Sequence, residues 1–207
     1  GNAYDRILLL TPDHFFKGKT DISVSTQSFD TVFGTLRADA TVAKALEGLP
    51  NVSPGSFFAS EHGANAVIPF LKYHFPDAKI SVISFQGFGS KDELSTVADR
   101  LLPLVTDSTL IVQSTDYSHF LSAEDAKKKD QETLRVIAGA KPDAVLDLDQ
   151  PEHLDAKEAQ WLHMTVQAER WNAKPTVIRN KNSIEYAGGD VTETTSYVTQ
   201  VYAPEPI

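Results

Sequence analysis

Residues 109–120 read TLIVQSTDYSHF, a β-type apolar run followed at once by a polar turn that carries Asp116 and His119. A short uncharged run of this kind is the pattern of a strand buried on both faces of a parallel sheet. Two further runs repeat it. Residues 6–10 (RILLL) end at Thr11-Pro12-Asp13-His14, and residues 79–85 (KISVISF) end at Gln86-Gly87-Phe88-Gly89-Ser90. Between these runs the periodicity is helical. Residues 41–49 read as a helix closed by Gly48 and Pro50. Residues 61–75 read as another, with Ser60 as N-cap, one face made of Val67, Phe70, Leu71 and His74, and Pro76 as the stop. In residues 90–105 Ser90 caps and Glu93 completes a capping box; residues 122–138 start in a similar way at Ser122, and a last helix spans 155–171. Residues 51–60, with Pro54-Gly55, read as a loop, and shorter strands are expected at 22–25, 176–179 and 196–202. Strands alternating with helices imply βαβ units. The expected fold class is therefore α/β, a three-layer arrangement with a largely parallel central sheet flanked by helices, in one domain over residues 1–207.

The bulk properties agree with an ordinary globular chain. Its 207 residues suffice to bury roughly 70% of the unfolded surface. A net charge of −9 argues against nucleic acid and against an anionic membrane surface as partners. The chain has no cysteine, which excludes disulfides, thiolate zinc sites and a cysteine nucleophile. No run approaches the ~20 apolar residues of a membrane helix, and no signal peptide is visible. Gly1 reads as a cloning remnant. The expected localisation is cytoplasmic, with export directed by an upstream signal as the alternative. The run Lys127-Lys128-Lys129 has Glu124, Asp125 and Asp130 around it and reads as a solvated helix face.

In parallel α/β sheets, ligands bind at the carboxyl ends of the strands. Three polar clusters fall after strands or at helix starts: Thr11 to His14, Ser60 to His62, and Ser114 to His119. They hold three of the six histidines. The others read as surface or satisfied core residues: His74 near a helix end, His153 in an acidic loop, and His163 mid-helix beside Trp161 and Met164. A carboxylate and an imidazole three residues apart, as in Asp116 and His119, converge if the turn is tight. The pair then suits a divalent metal of intermediate hardness, or a general base oriented by a carboxylate. The plain alternative is that Asp116 caps a turn and His119 bonds backbone. His14 at the end of a different strand adds weight to the metal reading, because two histidines and one carboxylate resemble a facial triad. Asp-x-x-His is a common tetrapeptide, so spacing alone does not identify the site.

Several segments, in order along nearly the whole chain, resemble the Memo-like family, the protein B component of the AmmeMemoRadiSam system. Thr11-Pro12-Asp13-His14-Phe15 stands where the family has G-P-S-H-H, with Lys17-Gly18 following. Residues Ser28 to Leu36 resemble its aromatic–acid–x–x–hydrophobic–Gly segment. Glu61-His62-Gly63-Ala64-Asn65-Ala66-Val67-Ile68-Pro69-Phe70 is similar to E-H-S-x-E-x-x-L-P-F. Ser114 to Phe120 is similar to S-S-D-[FYL]-S-H-[YF], the most specific match, and Asn182-Ser183 with Gly189-Asp190-Val191-Thr192 resembles N-S-G-D-x-T.

The resemblance implies a fold related to class III extradiol dioxygenases of the LigB type. It implies His14, Asp116 and His119 as metal ligands, His62 and His119 as catalytic acid–base histidines, and Asp13, Phe15, Glu61 and Tyr117 as pocket residues. The ion implied is Fe²⁺, Cu²⁺ or Zn²⁺. There are departures. The second histidine of the family's pair is Phe15, and Asn65 stands near the second glutamate of the E-H-S-x-E helix. The family's histidine-bearing H-A-G-Y segment would lie upstream of the first strand. Its C-G segment falls around Asp155-Ala156, where this chain has no thiol. The site is accordingly read as partial, and the ion as one the chain could lack.

The first functional reading is a metal-dependent oxidoreductase of the dioxygenase kind. The alternative is a non-catalytic module that binds a small molecule or peptide in the same crevice, with Phe15, Phe16, Tyr117 and Phe120 as aromatic walls or as simple core. Family resemblance adds a radical-SAM enzyme or an AMMECR1-like protein as partners. A hydrolase using Ser114 or Ser118 lacks a G-x-S-x-G elbow, and the G-x-G turn at Gly87 is a weak anion signal.

Overall fold

The computed structural model describes residues 4–87, 89–187 and 192–204. Gly1, Phe88 of the G-x-G turn, and Gly189, Asp190 and Val191 of the last family-like segment lie outside the described residues. The chain divides into two compact units, Gly1–Ser114 and Thr115–Ile207.

In the first unit the chain runs β1 (Arg6–Pro12), β2 (Ile22–Ser25), β3 (Phe29–Thr31), β4 (Gly34–Ala38), α1 (Thr41–Leu46), β5 (Val52–Gly55), α2 (His62–Asn65), α3 (Ile68–His74), β6 (Lys79–Phe85), α4 (Lys91–Leu101) and β7 (Thr109–Gln113). The sheet order is β3-β4-β6-β1-β7, with β2 beside β6 and β5 beside β2. β1 is parallel to both β6 and β7, and β4 is parallel to β6, while β2 is antiparallel to β6. The strand ends decide where chemistry sits, because β1 runs straight into Asp13 and His14.

Strand alternation gives β1 two faces, and both are covered. Ile7 and Leu9 share a cluster with Ile80 and Val82 of β6 and with Ala64, Ile68 and Leu71 of α2 and α3. Leu8 and Leu10 point the other way and are equally buried. The helices α1 (buried Val42, Leu46) and α4 (buried Leu94, Val97, Leu101) pack on each other, and α1 packs on β2 and β6. Each such side chain contributes about 1.5–3 kcal/mol when fully buried, which is why the runs RILLL and KISVISF carry no inward charge. α4 begins as expected: Ser90 and Glu93 form a reciprocal capping box.

The helix expected over 61–75 is broken in two. Pro69 lies in the first turn of α3; a proline ring clashes with the carbonyl four residues back, so α2 cannot run through it. The N-cap of α2 is Glu61, not Ser60: the Glu61 carboxylate accepts from the Gly63 N–H. Residues 51–60 also hold a strand, β5, parallel to β2, and the segment 28–36 contains most of a hairpin, β3–β4.

The second unit contains β8 (His119–Leu121), α5 (Ala123–Ala138), α6 (Lys157–Trp171), β9 (Ala173–Asn182) and β10 (Thr194–Pro204). Here the βαβ expectation gives way. β9 and β10 form an antiparallel pair, and β8 joins β10 to make a separate three-stranded sheet. α5 and α6 pack against this sheet. The core gathers Tyr117, Ile137, Val145, Leu148, Leu154 and Met164. Gln160 stitches a polar network through it: its Oε1 accepts from the Tyr117 hydroxyl at 3.0 Å and from Gln200 at 2.9 Å, and its Nε2 donates to the Tyr202 hydroxyl at 2.9 Å. Burial pushes both tyrosine hydroxyls well above their ordinary range, so they stay protonated. Among the described residues, no helix is long and apolar enough to cross a membrane.

Candidate metal centre

Two clusters of histidine and carboxylate stand out, one in each unit. In the first unit the turn after β1 is shaped by Asp13. Its buried carboxylate accepts from the backbone N–H groups of Lys17 (3.0 Å) and Gly18 (2.7 Å) and from Gln86 Nε2 (3.1 Å). Asp13 therefore organises the loop that carries His14. Phe16 adopts a left-handed backbone, φ 51°, which is a cost a phenylalanine accepts only where surrounding bonds enforce it.

Glu61 is fully buried and takes three donors: the His14 N–H at 3.1 Å, the Gly63 N–H at 2.9 Å and His14 Nδ1 at 2.5 Å. A buried carboxylate needs such partners. The Nδ1 contact selects the tautomer protonated there, which leaves the Nε2 lone pair as the coordinating atom, as in carboxylate–histidine–metal arrangements. The His62 ring lies 3.8 Å from that of His14, and Phe15 meets His62 edge-on at 5.5 Å. Phe15 is half exposed. Gly63 is required at this point, because a Cβ there would stand 2.3 Å from Thr11 Oγ1 and 3.4 Å from His14 Cε1.

In the second unit Asp116 and His119 converge as their spacing suggests, and Asp155 joins them. His119 Nε2 lies 3.7 Å from Asp116 Oδ2 and 3.7 Å from Asp155 Oδ2. The backbone holds this arrangement. Asp155 N–H donates to Asp116 O at 3.1 Å, His119 N–H donates to Pro151 O at 3.3 Å, and Tyr117 bridges Leu154 in antiparallel fashion. The other face of the imidazole is tied down too, with Nδ1 at 3.0 Å from Thr195 Oγ1. Phe120, next in the chain, is exposed and left-handed at φ 56°.

The plain alternative for Asp116 and His119 is only partly met. His119 does bond backbone through its own N–H, but its ring nitrogens face Thr195 and two carboxylates. Tyr117 is buried in the core cluster of the second unit. Ser118 is buried and donates to Asp130 Oδ1 at 2.7 Å, a structural bond that leaves no exposed nucleophile. His153 accepts the Asp149 N–H at 3.1 Å and its Nε2 sits 3.0 Å from Glu132. His163 is a core residue whose protonation burial suppresses, down to about 3.

Three participants were not singled out from sequence for these roles. Glu61 is an orienting acid held by three donors, Thr195 is the second partner of His119, and Asp155 is a member of the cluster. For Asp155 a signal existed, because it stands where the resemblance would place a thiol. For Thr195 none did, since its role depends on β10 pairing with β8.

These features define an α/β protein with histidine–carboxylate clusters at a strand end and along a strand-like turn. The sequence profile of the Memo-like protein family matches residues 1–200, and the chain belongs to that family. It is similar to a MEMO1 family protein of Methanosarcina acetivorans, 30% identical over 156 residues, covering 73% of this chain and 55% of that one. A MEMO1 family protein of Aquifex aeolicus is 26% identical over 158 residues, covering 71% and 42%. The chain thus spans about half the length of the curated relatives it matches. A crystal structure of an uncharacterized Escherichia coli K12 protein superposes with a TM-score of 0.53 at 12% identity, covering 94% of this chain and 86% of that one, a likeness of fold alone.

Proposed function

We propose that this chain is a divalent-metal protein in which Asp116 and His119 hold the ion, serving an oxidoreductase reaction of the extradiol dioxygenase kind. The observation that carries the reading is the convergence of His119 Nε2 on carboxylate oxygen within its own unit. The donor set of imidazole nitrogen and carboxylate oxygen fits Fe²⁺, Zn²⁺ or Cu²⁺. When bound, such an ion would act as a Lewis acid and orient a substrate oxygen. In the first unit's own cluster His14 is a further candidate ligand, its ring oriented by Glu61. His62 is the acid–base group, and Phe15 is the aromatic surface next to it. The resemblance adds a radical-SAM or AMMECR1-like protein as partner.

The test is anaerobic titration of the metal-stripped chain with Fe²⁺, Zn²⁺ and Cu²⁺, followed by O₂ uptake with catechols. Binding of at least one of these ions together with uptake is the expected result. Failure to bind any of them would overturn the metal reading. The exposed Phe15 and Phe120, each beside a candidate histidine, favour a second reading: a module that binds a small aromatic molecule or peptide without turnover. Metal or ligand binding without O₂ uptake would point to it.

A further inference from the structure

We infer that Tyr197 is a further substrate-contacting residue of the second cluster: it stands across the strand pair from Asp116, on the face of β10 that carries Thr195, and its phenol hydrogen-bonds the molecule that Asp116 and His119 engage. The inference rests on the reading of Asp116 and His119 as a site, and it adds a neutral donor that neither of them supplies.

The placement follows from a β-bulge. In a regular strand, residues three apart point to opposite faces, so Asp116 and His119 could not share one. This segment is not regular. Tyr117 N–H donates to Ser196 O at 2.9 Å and Ser196 N–H donates to Ser118 O at 2.9 Å, so two residues of one strand stand opposite one residue of the other. Tyr117, Ser118 and Ser196 are all buried. Ser118 is fixed there by its bond to Asp130 at 2.7 Å and by Ser196 Oγ at 3.0 Å. The residues flanking the bulge therefore share the outer face. On one side His119 pairs with Thr195 and meets its hydroxyl at 3.0 Å. One step past the bulge on the other side, Asp116 stands opposite Tyr197. Opposed side chains on one face have Cβ atoms about 4.5–5.5 Å apart. Tyr197 alternates with buried Ser196 and with Val198, which packs on the core, so its ring points outward with Thr195. The charges show the same proximity: partial burial and then the Asp116 carboxylate raise the Tyr197 hydroxyl above its ordinary range. Its neighbour in the other direction, Lys181, is engaged by Glu185. Tyr117 and Tyr202 spend their hydroxyls on Gln160. Tyr197 is 43% exposed and its hydroxyl makes no hydrogen bond among the described residues, so its donor is open to a ligand.

The experiment measures binding of 4-nitrocatechol, a coloured probe, to the full chain with and without Zn²⁺, an ion with no redox chemistry of its own. The parent is compared with Y197F, Y197L and T199V, and Zn²⁺ affinity and thermal unfolding are measured on each. Thr199 is the next outward residue of β10, opposite Arg179, and controls for disturbance of the strand. Y197F should bind the probe about 10-fold more weakly, the effect of one lost hydrogen bond, with Zn²⁺ affinity and unfolding temperature unchanged. Y197L should lose at least as much, and T199V should match the parent. The inference alone falls if Y197F holds the probe within about twofold of the parent. It falls equally if only Y197L weakens binding, which would make Tyr197 a packing residue. If the parent takes up no Zn²⁺, Fe²⁺ or Cu²⁺, the metal reading falls, and Tyr197 is judged by the same ratio on the metal-free chain. A parent that binds the probe in neither form overturns the inference, whatever its Zn²⁺ affinity.

Discussion

The two units use the same side-chain types for different work, and distance tells them apart. In the first, Glu61 touches His14 directly, is fully buried and takes three donors, so its charge is spent inside the protein. In the second, Asp116 Oδ2 and Asp155 Oδ2 each stand 3.7 Å from His119 Nε2, beyond hydrogen-bond contact. A carboxylate in hydrogen-bond contact orients an imidazole; a carboxylate held further off, as Asp116 is, serves as ligand in the metal reading proposed above. The first cluster should therefore matter most for folding and tautomer choice, and the second for metal affinity.

The largest effect that would break this contrast lies in the second cluster. H119A removes the imidazole donor of that cluster and should lower Fe²⁺ or Co²⁺ affinity at least ~100-fold, measured by competition with a chelating dye. Affinity within a few-fold of the parent would mean that His119 is an ordinary surface-facing histidine of β8.

The residues show why part of this was legible in sequence and part was not. β1, β2, β6 and β7 announce themselves because their inward faces tolerate no charge, and α4 announces itself through Ser90 and Glu93. Asp116 and His119 were visible because they follow such a strand directly. The antiparallel β8–β10–β9 sheet was not visible: β9 is half exposed along its length, so its pattern lacks a clean apolar run and suggests only a short strand. The three donors that enclose Glu61 were not visible, because they come from backbone and ring groups brought together by the fold. Asp155 was hidden because its neighbour in space is forty residues away along the chain, reached through backbone pairing that no local pattern encodes.

The next effect sharpens the contrast from the first cluster. E61Q keeps the shape but removes the charge that His14 and two backbone N–H groups address. It should cost about 1–3 kcal/mol in denaturant unfolding of the metal-free chain. D116N, at a partly exposed carboxylate in the second cluster, should change metal-free stability by less than about 0.5 kcal/mol. Equal costs for the two substitutions would erase the distinction between an orienting acid and a ligand.

A histidine outside both clusters supplies an internal reference. Burial holds His163 down to about 3, while the unfolded chain protonates near 6.5. The unfolded state therefore binds the extra proton first as pH falls, so stability is full above 6.5 and is lost progressively between 6.5 and 3. The slope for one such group is about 1.4 kcal/mol per pH unit, or about 2 kcal/mol between pH 6.5 and 5. H163F, similar in volume, should flatten that part of the stability–pH curve, and an unchanged slope would mean that other groups govern acid unfolding.

The smallest effect tests the partner behind the metal ligand. Thr195 Oγ1 lies 3.0 Å from His119 Nδ1 and anchors that side of the ring, so that Nε2 faces Asp116 and Asp155. T195V preserves the β-branched shape that β10 needs where it pairs with β8, but removes the hydroxyl. Loss of such an outer partner typically lowers metal affinity 10–100-fold, and the separate backbone bond of His119 to Pro151 places this one near the lower limit, about 10-fold. The corresponding loss for His14 would come from Glu61, whose charged contact is closer and deeper. If T195V binds Co²⁺ as tightly as the parent while T195S also does, the imidazole is positioned by its backbone bond to Pro151 alone, and the second cluster is more rigid than its side-chain contacts require.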